Sequence, residues 1–288
     1  MTTVAKEIRG AIAVLTVDNP PVNALSHSVR EGLAGHMTDL ASDDSVKAIV
    51  IACAGRTFIA GADIKEFGSP PKAPHLGEVV DQIEAMEKPV VAAIHGTALG
   101  GGLEVALSCH YRVAVPSAKI GLPEVKLGIL PGAGGTQRLP RIAGPANALD
   151  AIVSGRHISA KEAASWGALD EITDGDLLDA AIAFAESKIG SGPRRTGEMA
   201  IDAGEYNQDF FDGFRKKVAK QTRGYFAPER CIQCVEAAVK LPLEEGLKRE
   251  RELFMELMET DQRQGLIHAF FSERAVSKLP ELKDVEPR

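Results

Sequence analysis

The sequence lacks long hydrophobic runs and contains few cysteines, and both absences exclude classes of protein. No apolar stretch approaches the roughly 20 residues that a helix needs to span a bilayer, so we expect no membrane partner. The segment MTTVAKEIRG has no apolar core, so a secretory signal is not expected. Four cysteines in 288 residues are too few for a disulfide scaffold. Reduced thiols suit a cytosol-like compartment, and we therefore expect a cytoplasmic protein.

Acidic side chains outnumber basic ones. The chain has 33 basic and 40 acidic side chains, which give a net charge of −7. A weakly acidic surface argues against a nucleic-acid partner, because binding to the phosphate backbone needs a basic stripe. A small anionic ligand held at a local site remains compatible with this charge. Cys231 and Cys234 form a C-x-x-C pattern without a second pair at zinc spacing, so we interpret them as packing residues and expect no metal site.

The first half of the chain alternates strand and helix patterns. Short apolar runs rich in β-branched residues predict strands, and apolar residues at helical spacing between them predict helices. Parallel strands joined by crossover helices produce this alternation, so we expect an α/β fold. The predicted strands cover residues 11–17, 47–54, 90–94 and 111–115, and the predicted helices cover residues 25–40 (with Ser26 as a cap), 76–86 and 103–108.

The second half is almost entirely helical in pattern. Ser159 and Glu162 have the spacing of a capping box, which predicts the start of a helix. Later helices are predicted over residues 177–189, 228–240, 243–259 and 264–277. One apolar stripe is typical of a core contact and less often of an oligomer face; it consists of Leu243, Leu247, Leu253, Phe254, Leu257 and Met258. We expect a core domain over residues 1–195 and a helical region over residues 196–288, which either assembles oligomers or folds back onto the core.

Three segments between residues 58 and 138 combine small residues with expected bends. They read FIAGADIK at 58–65, HGTALGGGLE at 95–104, and GLPE at 121–124 followed by PGAGGTQR at 131–138. In the second segment a strand ends, three glycines follow and a helix begins. Amides at a helix start lack intrahelical acceptors and glycine permits close approach, which suits a phosphate or a developing oxyanion. A tight turn explains the glycines alone equally well, and neither the dinucleotide-binding motif nor the P-loop motif fits.

Two glutamates accompany these glycines. Glu104 lies among apolar neighbours in the first turn of a predicted helix, so we expect it to be partly buried. Glu124 follows a proline in a short extended stretch. A solvated surface charge is the alternative for each residue. Two carboxylates beside an oxyanion site suit general acid–base chemistry at a carbon next to a carbonyl group.

Taken together, these motifs resemble the enoyl-CoA hydratase/isomerase (crotonase) superfamily. The resemblance also includes NPPVNAL at 19–25, and the motifs occur in family order across nearly the whole chain. It implies a crotonase (ClpP-like) spiral of ββα units followed by C-terminal helices used for trimer assembly. It further implies an acyl-CoA thioester as substrate, a homotrimer or hexamer, and no metal or redox cofactor.

The resemblance also implies roles for individual residues. The backbone amides of Ala62 and Gly101 correspond to the oxyanion hole that holds the thioester oxygen. Glu104 corresponds to the base that activates water, and Glu124 to the acid that protonates C2. Further substrate-binding positions are Ala60, Gly61, Asp63, Ile64, Lys65, Gly100, Pro123 and Gly132.

Some of these residues have equally good structural interpretations. Lys65 suits a phosphate of coenzyme A, but an exposed lysine would look the same. Asp63 is expected to accept hydrogen bonds from turn amides. His95 and His110 have no serine or cysteine partner motif, so core or surface roles are expected for both.

The presence of both glutamates favours hydration of trans-2-enoyl-CoA to 3-hydroxyacyl-CoA in fatty-acid β-oxidation. A site with two glutamates can also show Δ3,Δ2-enoyl-CoA isomerase activity. The end of the chain resembles the hydratase half of multifunctional fatty-acid oxidation enzymes, so an excised N-terminal part of such an enzyme is the alternative. A non-enzymatic binding scaffold is a third possibility, against which the two intact glutamates argue.

Overall fold

The fold is taken from a computed structural model that describes residues 3–63, 66, 70 and 72–276. These residues form nine strands and eleven α-helices. The strands are β1 (Val4–Arg9), β2 (Ile12–Val17), β3 (Ala48–Cys53), β4 (Val90–Ile94), β5 (Thr97–Leu99), β6 (Tyr111–Ala114), β7 (Lys119–Gly121), β8 (Ile158–Ser159) and β9 (Glu171–Ile172). The helices of the first two thirds are α1 (His27–Ala41), α2 (Leu76–Glu84), α3 (Gly101–Ser108), α4 (Gly135–Ala143), α5 (Pro145–Ser154), α6 (Ala160–Ser165) and α7 (Leu177–Ser187). The last helices are α8 (Gln208–Val218), α9 (Ala227–Lys240), α10 (Leu243–Met258) and α11 (Asp261–Val276).

A six-stranded sheet forms the centre of the molecule, in the order β1-β2-β3-β4-β6-β9. All neighbouring strands are parallel except β1 and β2, which are antiparallel. Alternate residues of each inner strand enter two different apolar clusters. Val14 and Val50 pack towards α7, whereas Leu15 and Ile51 enter the larger core with α1. Helices on both faces explain why the inner strands are continuous apolar runs in the sequence.

A second, smaller sheet positions the candidate site. It has the order β5-β7-β8, with β5 parallel to β7 and β7 antiparallel to β8. Helix α3 begins directly after β5, and a short 3₁₀ helix, Pro123–Leu127, begins directly after β7. Two elements that carry candidate catalytic residues therefore leave the same edge of this small sheet.

The predicted α/β fold with a parallel sheet is confirmed, and the predicted elements agree with the observed ones to within a few residues. The two serines that were predicted to cap helices differ in their contacts. Ser26 does precede α1, but its hydroxyl makes no capping hydrogen bond and lies 3.0 Å from the Ser28 hydroxyl. Ser159 caps α6 as predicted, because its hydroxyl accepts a hydrogen bond from the Glu162 amide.

The C-terminal helices α9 and α10 pack against the preceding helices. Helix α9 lies against α4 and α5, and α10 lies against α4 and α9. Leu253 and Leu257 of the predicted apolar stripe are buried there. Cys231 and Cys234 are buried free thiols of α9, as expected for packing residues. The division into regions 1–195 and 196–288, and the trimer or hexamer, stay predictions.

No helix in the described segments is both long enough and apolar enough to cross a membrane.

The fold-back of α10 can be tested by removing one buried side chain. We expect Leu253→Ala to lower the free energy of unfolding by about 2–4 kcal/mol, because it leaves a cavity in the core. Met255→Ala on the same helix, where the side chain is 44% exposed, should change stability by less than about 0.5 kcal/mol. Urea denaturation of both variants measures the difference. Equal stabilities would show that α10 does not bury Leu253 in solution.

Candidate active site

The two predicted catalytic glutamates follow the ends of neighbouring parallel strands. In the pairing of β5 with β7, Leu99 lies opposite Gly121. Glu104 follows β5 in the first turn of α3, and Glu124 follows β7 in the 3₁₀ helix. Ligands commonly bind beyond the carboxyl ends of parallel strands. The structure brings the two glutamates close enough for the charge of Glu104 to affect Glu124.

Glu104 is 3% exposed, and the chain after Pro131 holds its carboxylate. The amides of Ala133 and Gly135 donate to its Oε1 atom at 2.7 and 2.9 Å. Gly135 is the first residue of α4, so the carboxylate lies at the positive end of that helix. Burial raises the pKa of Glu104, whereas the two amides and the guanidinium of Arg138 lower it.

The carboxyl group of Glu124 has a different environment. Its Oε2 atom is buried and accepts no hydrogen bond from the described residues. Burial raises the pKa of Glu124 well above its usual value, and the carboxylates of Glu104 and Glu250 raise it further. A carboxyl group near two others and short of donors is favoured in its protonated form.

These environments separate the pKa values of the two carboxyl groups: burial raises the pKa of Glu104 on balance, and the pKa of Glu124 is raised well above its usual value. Two N–H donors and a nearby cation favour the ionised form of Glu104, whereas burial beside other carboxylates favours the neutral form of Glu124. Neighbouring titratable groups whose pKa values are pushed apart are typical of acid–base sites. The geometry can therefore supply one proton acceptor and one proton donor in the same place.

The backbone nitrogen of Ala62 lies near Gly101 at the start of α3. A Cβ atom at Gly101, the first residue of the helix, would be 3.8 Å from the amide nitrogen of Ala62. Ala62 is exposed and forms an isolated bridge with Leu25. Among the residues that the structure describes, neither amide has a hydrogen-bond acceptor. Adjacent amides of this kind at a helix N-terminus suit a developing oxyanion.

A close backbone contact holds this amide pair in place. A Cβ atom at Gly102 would come within 2.1 Å of the carbonyl oxygen of Ile59, so only glycine fits there. The same carbonyl accepts a hydrogen bond from the Leu99 amide at 3.0 Å. The segment that leads to Ala62 is thus pressed against the end of β5 and the start of α3.

Three other predicted substrate-binding residues surround Ala62 in sequence. The Ala60 amide donates to the Val22 carbonyl at 3.2 Å, and the Gly61 carbonyl accepts from the Leu25 amide at 2.9 Å. Asp63 follows, and its own backbone carbonyl accepts a hydrogen bond from the amide of residue 66. The first two residues therefore share the site's backbone framework. The predicted contacts Ile64 and Lys65 lie outside the described residues.

The last three predicted substrate-binding residues lie in different surroundings. Gly100 faces Glu124, because a Cβ atom there would be 2.8 Å from Oε1 of that glutamate. Pro123 begins the 3₁₀ helix that carries Glu124. Gly132 instead faces α10, where a Cβ atom would be 2.7 Å from the ring of Phe254. The structure thus brings Gly100 and Pro123 to the glutamates and places Gly132 in a helix contact.

The histidines of the first half are bound to the backbone. The Nδ1 atom of His110 accepts from the Val90 amide at 2.9 Å inside the core. The Nε2 atom of His95 lies 3.1 Å from the Gly55 carbonyl. In the described parts of the chain, no group of three or more histidine, cysteine, aspartate or glutamate residues could hold a metal ion.

A buried arginine fixes the segment that holds Glu104. Arg138 donates to Glu84 at 2.9 Å and to Asp81 at 2.8 Å. Its Nη1 atom also donates to the Ala133 carbonyl at 3.1 Å. The amide of Ala133 therefore points at Glu104 while its carbonyl is held by a paired guanidinium. This explains why the sequence motif that begins at Pro131 ends in an arginine.

One carboxylate of the site was missed in the sequence analysis. Glu250 of α10 is 2% exposed and accepts hydrogen bonds from the amides of Gly134 and Thr136. A signal for its burial was present, because Glu250 lies three residues after Leu247 and three before Leu253 on the apolar stripe. The many charged neighbours along α10 concealed it.

Comparison with known proteins identifies the family. Residues 7–203 match the family described as enoyl-CoA hydratase/isomerase. The chain belongs to this family. Crotonases act on acyl-CoA thioesters, which agrees with a site built from two carboxyl groups and two free amides.

Individual relatives extend the comparison. The peroxisomal bifunctional enzyme of Danio rerio is 45% identical over 273 residues, which make up 94% of this chain and 38% of that protein. The peroxisomal fatty acid beta-oxidation multifunctional protein MFP2 of Arabidopsis thaliana is 36% identical over 289 residues, or 95% of this chain and 40% of that protein. The chain therefore spans about two fifths of the length of these curated relatives.

A solved structure confirms the expected fold. The chain is similar to the carnitinyl-CoA hydratase of Mycobacterium avium, with a TM-score of 0.71 and 29% sequence identity. The match covers 95% of this chain and 97% of that one. The crotonase fold, including a helical C-terminal region, is thereby confirmed.

The expected cytoplasmic location is wrong. Both relatives named above are peroxisomal proteins, and a further multifunctional relative from Brassica napus is glyoxysomal. The argument from reduced cysteines failed because it distinguishes oxidising from reducing surroundings and does not separate the cytosol from other reducing compartments.

The raised pKa of Glu124 predicts a pH-dependent effect on stability. The unfolded chain ionises this carboxyl group above its ordinary pKa of 4.5, whereas the folded chain resists ionisation. Its contribution to stability is therefore complete at low pH and is lost as pH rises towards the folded-state pKa. We expect Glu124→Gln to be more stable than the unsubstituted protein at pH 8 by about 0.5–2 kcal/mol.

Urea denaturation at pH 5 and pH 8 measures this effect. The stability difference between Glu124→Gln and the unsubstituted protein should grow with pH. Glu31→Gln, at an exposed position of α1, is the matched control and should show no such growth. A difference that is the same at both pH values would contradict the assignment of a neutral Glu124.

Proposed function

We propose that this chain catalyses the addition of water to trans-2-enoyl-CoA, giving 3-hydroxyacyl-CoA in fatty-acid β-oxidation. The observation that carries the proposal is the contrast between Glu104 and Glu124. One carboxyl group is held by two amides near a buried arginine, and the other is buried with an oxygen that lacks a donor. Hydration needs such a pair, because water must lose one proton while the substrate gains another.

In the proposed mechanism, Glu104 removes a proton from a water molecule as its oxygen bonds to C3 of the substrate. The C2–C3 π electrons move towards the thioester carbonyl, and C2 then takes a proton from Glu124. One H and one OH have been added across the double bond. The proton on Glu104 must return to Glu124, directly or through water, before the next turnover. The reaction consumes one enoyl-CoA and one water molecule without net oxidation or reduction, so the proposal requires no metal or redox cofactor.

The proposed oxyanion hole consists of the amides of Ala62 and Gly101. Negative charge develops on the thioester oxygen during the addition. Their proximity and their lack of acceptors in the described structure support this role. Preorganised donors of this kind are typically worth about 10²–10³ in rate.

Two further proposals concern the setting of the reaction. Because the relatives are bifunctional or multifunctional proteins of greater length, the chain is proposed to be the hydratase part of such an enzyme. The peroxisomal location of these relatives supports a peroxisomal site of action for this chain. Δ3,Δ2-enoyl-CoA isomerisation is a second candidate activity, since the matched family includes isomerases and a carboxylate pair can move a proton between two carbons.

Crotonyl-CoA provides the direct test of function. Hydration removes the conjugated double bond, so the absorbance of the enoyl thioester should fall with time. A 3-enoyl-CoA substrate distinguishes isomerisation, because its absorbance rises as the conjugated isomer forms. An absence of turnover with enoyl-CoA substrates of short, medium and long chain length would contradict the proposed hydratase.

Neutral replacements test the carboxyl pair. We expect Glu104→Gln and Glu124→Gln each to lower hydratase turnover by at least about 10²-fold, because each removes one proton-transfer group. Both substitutions keep the side-chain size, so the far-UV circular dichroism should be unchanged. Turnover close to that of the unsubstituted protein in either variant would remove that residue from the mechanism.

A larger side chain at Gly101 tests the oxyanion hole. We expect Gly101→Val to abolish turnover, because a Cβ atom there would meet Leu76 and Leu25 at 2.8 and 3.0 Å and displace the start of α3 from the Ala62 amide. Gly35→Val is the matched control, since a Cβ atom at that exposed helical position meets nothing within 4 Å. The control should keep its activity, and both variants should keep a native far-UV spectrum. Full activity in Gly101→Val would place the oxyanion hole elsewhere.

A further inference from the structure

Glu250 is a buried carboxylate that the proposed mechanism does not use. It lies on α10, between the buried residues Gly246 and Leu253 of the same helix face. Its Oε1 atom accepts from the Gly134 amide at 2.7 Å, and its Oε2 atom accepts from the Thr136 amide at 3.1 Å. The Thr136 hydroxyl also donates to Oε2. All three donors belong to the start of α4, so Glu250 closes the N-terminal end of that helix from one side.

The same short segment holds Glu104 from the other side. Along residues 133–136, the amides alternate in direction. Those of Ala133 and Gly135 donate to Glu104, and those of Gly134 and Thr136 donate to Glu250. Residues 133–136 are therefore held from both sides, by the carboxylate of Glu104 on α3 and by that of Glu250 on α10. Any shift of its amides towards or away from Glu250 also changes the donors that Glu104 receives.

Gly134 gives the segment the bend that this alternation needs. Its φ angle is +93°, in the left-handed region that side chains disfavour. A segment with such a bend needs external contacts to hold one geometry. On one side the Ala133 carbonyl is bound by Arg138, and on the other Glu250 binds the next amides. Without Glu250, the amides of Gly134 and Thr136 would be buried without acceptors.

Packing alone does not require a carboxylate at this position. An apolar residue would continue the stripe formed by Leu253 and Leu257, and burying a charged group is unfavourable unless its hydrogen bonds are complete. Several titratable and charged groups also face this carboxylate from neighbouring elements. They are Glu104 of α3, Arg138 of α4, Glu124 of the 3₁₀ helix, and Cys231 and Cys234 of α9. Burial, together with Glu104, raises the pKa of Glu250 to about 8.

We propose that Glu250 is a positioning residue that fixes residues 133–136 so that two of their amides stay aimed at the base Glu104. The inference rests on the proposed hydration reaction, in which Glu104 must be ionised to accept a proton from water. Glu250 itself does not contact the reacting atoms in this proposal. It acts through the backbone, by keeping the hydrogen bonds that stabilise the charged form of Glu104.

Two neutral replacements separate this role from a charge effect. Glu250→Leu removes both the charge and the acceptors, whereas Glu250→Gln removes the charge and keeps one carbonyl oxygen. Loss of the amide contacts should raise the pKa of Glu104, because hydrogen bonds to a carboxylate favour its ionised form. Because the pKa of Glu250 is about 8, its negative charge is present only towards alkaline pH, and loss of that charge should instead lower the pKa of Glu104. The two explanations therefore predict opposite shifts of the acid limb of the pH–rate profile.

The expected results follow from that contrast. Glu250→Leu should lower kcat for crotonyl-CoA by at least about 10-fold with KM changed by less than about twofold, as for a loss of transition-state stabilisation. Its acid limb should move to higher pH by at least about 0.5 unit. Glu250→Gln should show a smaller loss of kcat and a smaller upward shift. Leu253→Ala, which destabilises the same helix without touching these hydrogen bonds, should keep the kcat and pH profile of the unsubstituted protein at a temperature where all variants are folded.

Other outcomes would overturn the inference. A downward shift in both neutral variants would show a purely electrostatic role, and an unchanged profile would show a merely structural one. If Glu250→Leu does not fold, Glu250→Gln carries the test alone, and an unchanged kcat and pH profile in that variant rejects the inference.

A crystal structure of the Glu250→Gln or Glu250→Leu variant gives a readout that does not depend on activity. At least one of the Ala133 and Gly135 contacts to Glu104 should lengthen beyond about 3.2 Å. If the unsubstituted protein hydrates no enoyl-CoA, the proposed function fails, and this geometry still tests the effect of Glu250 on residues 133–136. If hydration occurs but the variants keep both contacts and full activity, only the present inference fails.

Discussion

The arrangement of the site depends on the hydrogen bonds made by one short stretch of backbone at the start of α4. Its amides hold a carboxylate of α3 and a carboxylate of α10, and its first carbonyl is bound by Arg138. Arg138 in turn is paired with Glu84 at the end of α2. Four helices thus meet at one stretch of chain, so that the position of Glu104 is determined by contacts from all of them.

Buried titratable groups serve two different purposes in this molecule. Arg112 is buried, but its guanidinium donates to the carbonyls of Ala168, Ala106 and Cys109 and lies near Asp170. A buried group whose hydrogen bonds are complete in this way stabilises the fold and is not reactive. Glu124 is the opposite case, because one of its oxygens is buried without a donor in the described structure. Incomplete satisfaction at a buried titratable group is typical of functional sites, where some stability is given up for reactivity.

The parts of the fold that the sequence revealed are those with buried, continuous apolar runs. Strands β3 and β4 are apolar at nearly every position because helices cover both faces of the sheet. Strand β1 was missed because only Val4 is buried and the rest of this edge strand is exposed. Strands β5 and β7 have three residues each, which is too short for a periodic pattern to appear. These two short strands nevertheless bring the catalytic candidates together.

In the candidate site, residues with informative sequence neighbours could be predicted, whereas contacts between distant parts of the chain could not. Glu104 and Glu124 could be predicted because their apolar, proline and glycine neighbours are local features of the sequence. The alternation of amides between Glu104 and Glu250 could not be predicted, because the hydrogen bonds to Glu250 join residues more than 110 positions apart in the chain. Pairing across such a separation depends on how α10 folds back, which no local pattern specifies.

The fold-back of α10 means that the unit recognised by family similarity is smaller than the unit that builds the site. The family match ends at residue 203, whereas Glu250 and Phe254 contact the segment around Gly132 and Gly134 from well beyond that point. A chimera joined at the end of the family match would inherit both candidate catalytic glutamates but would combine them with a foreign α10. In this protein the exchangeable module therefore extends to α10, and its boundary follows the contacts of that helix rather than the end of the recognisable motifs.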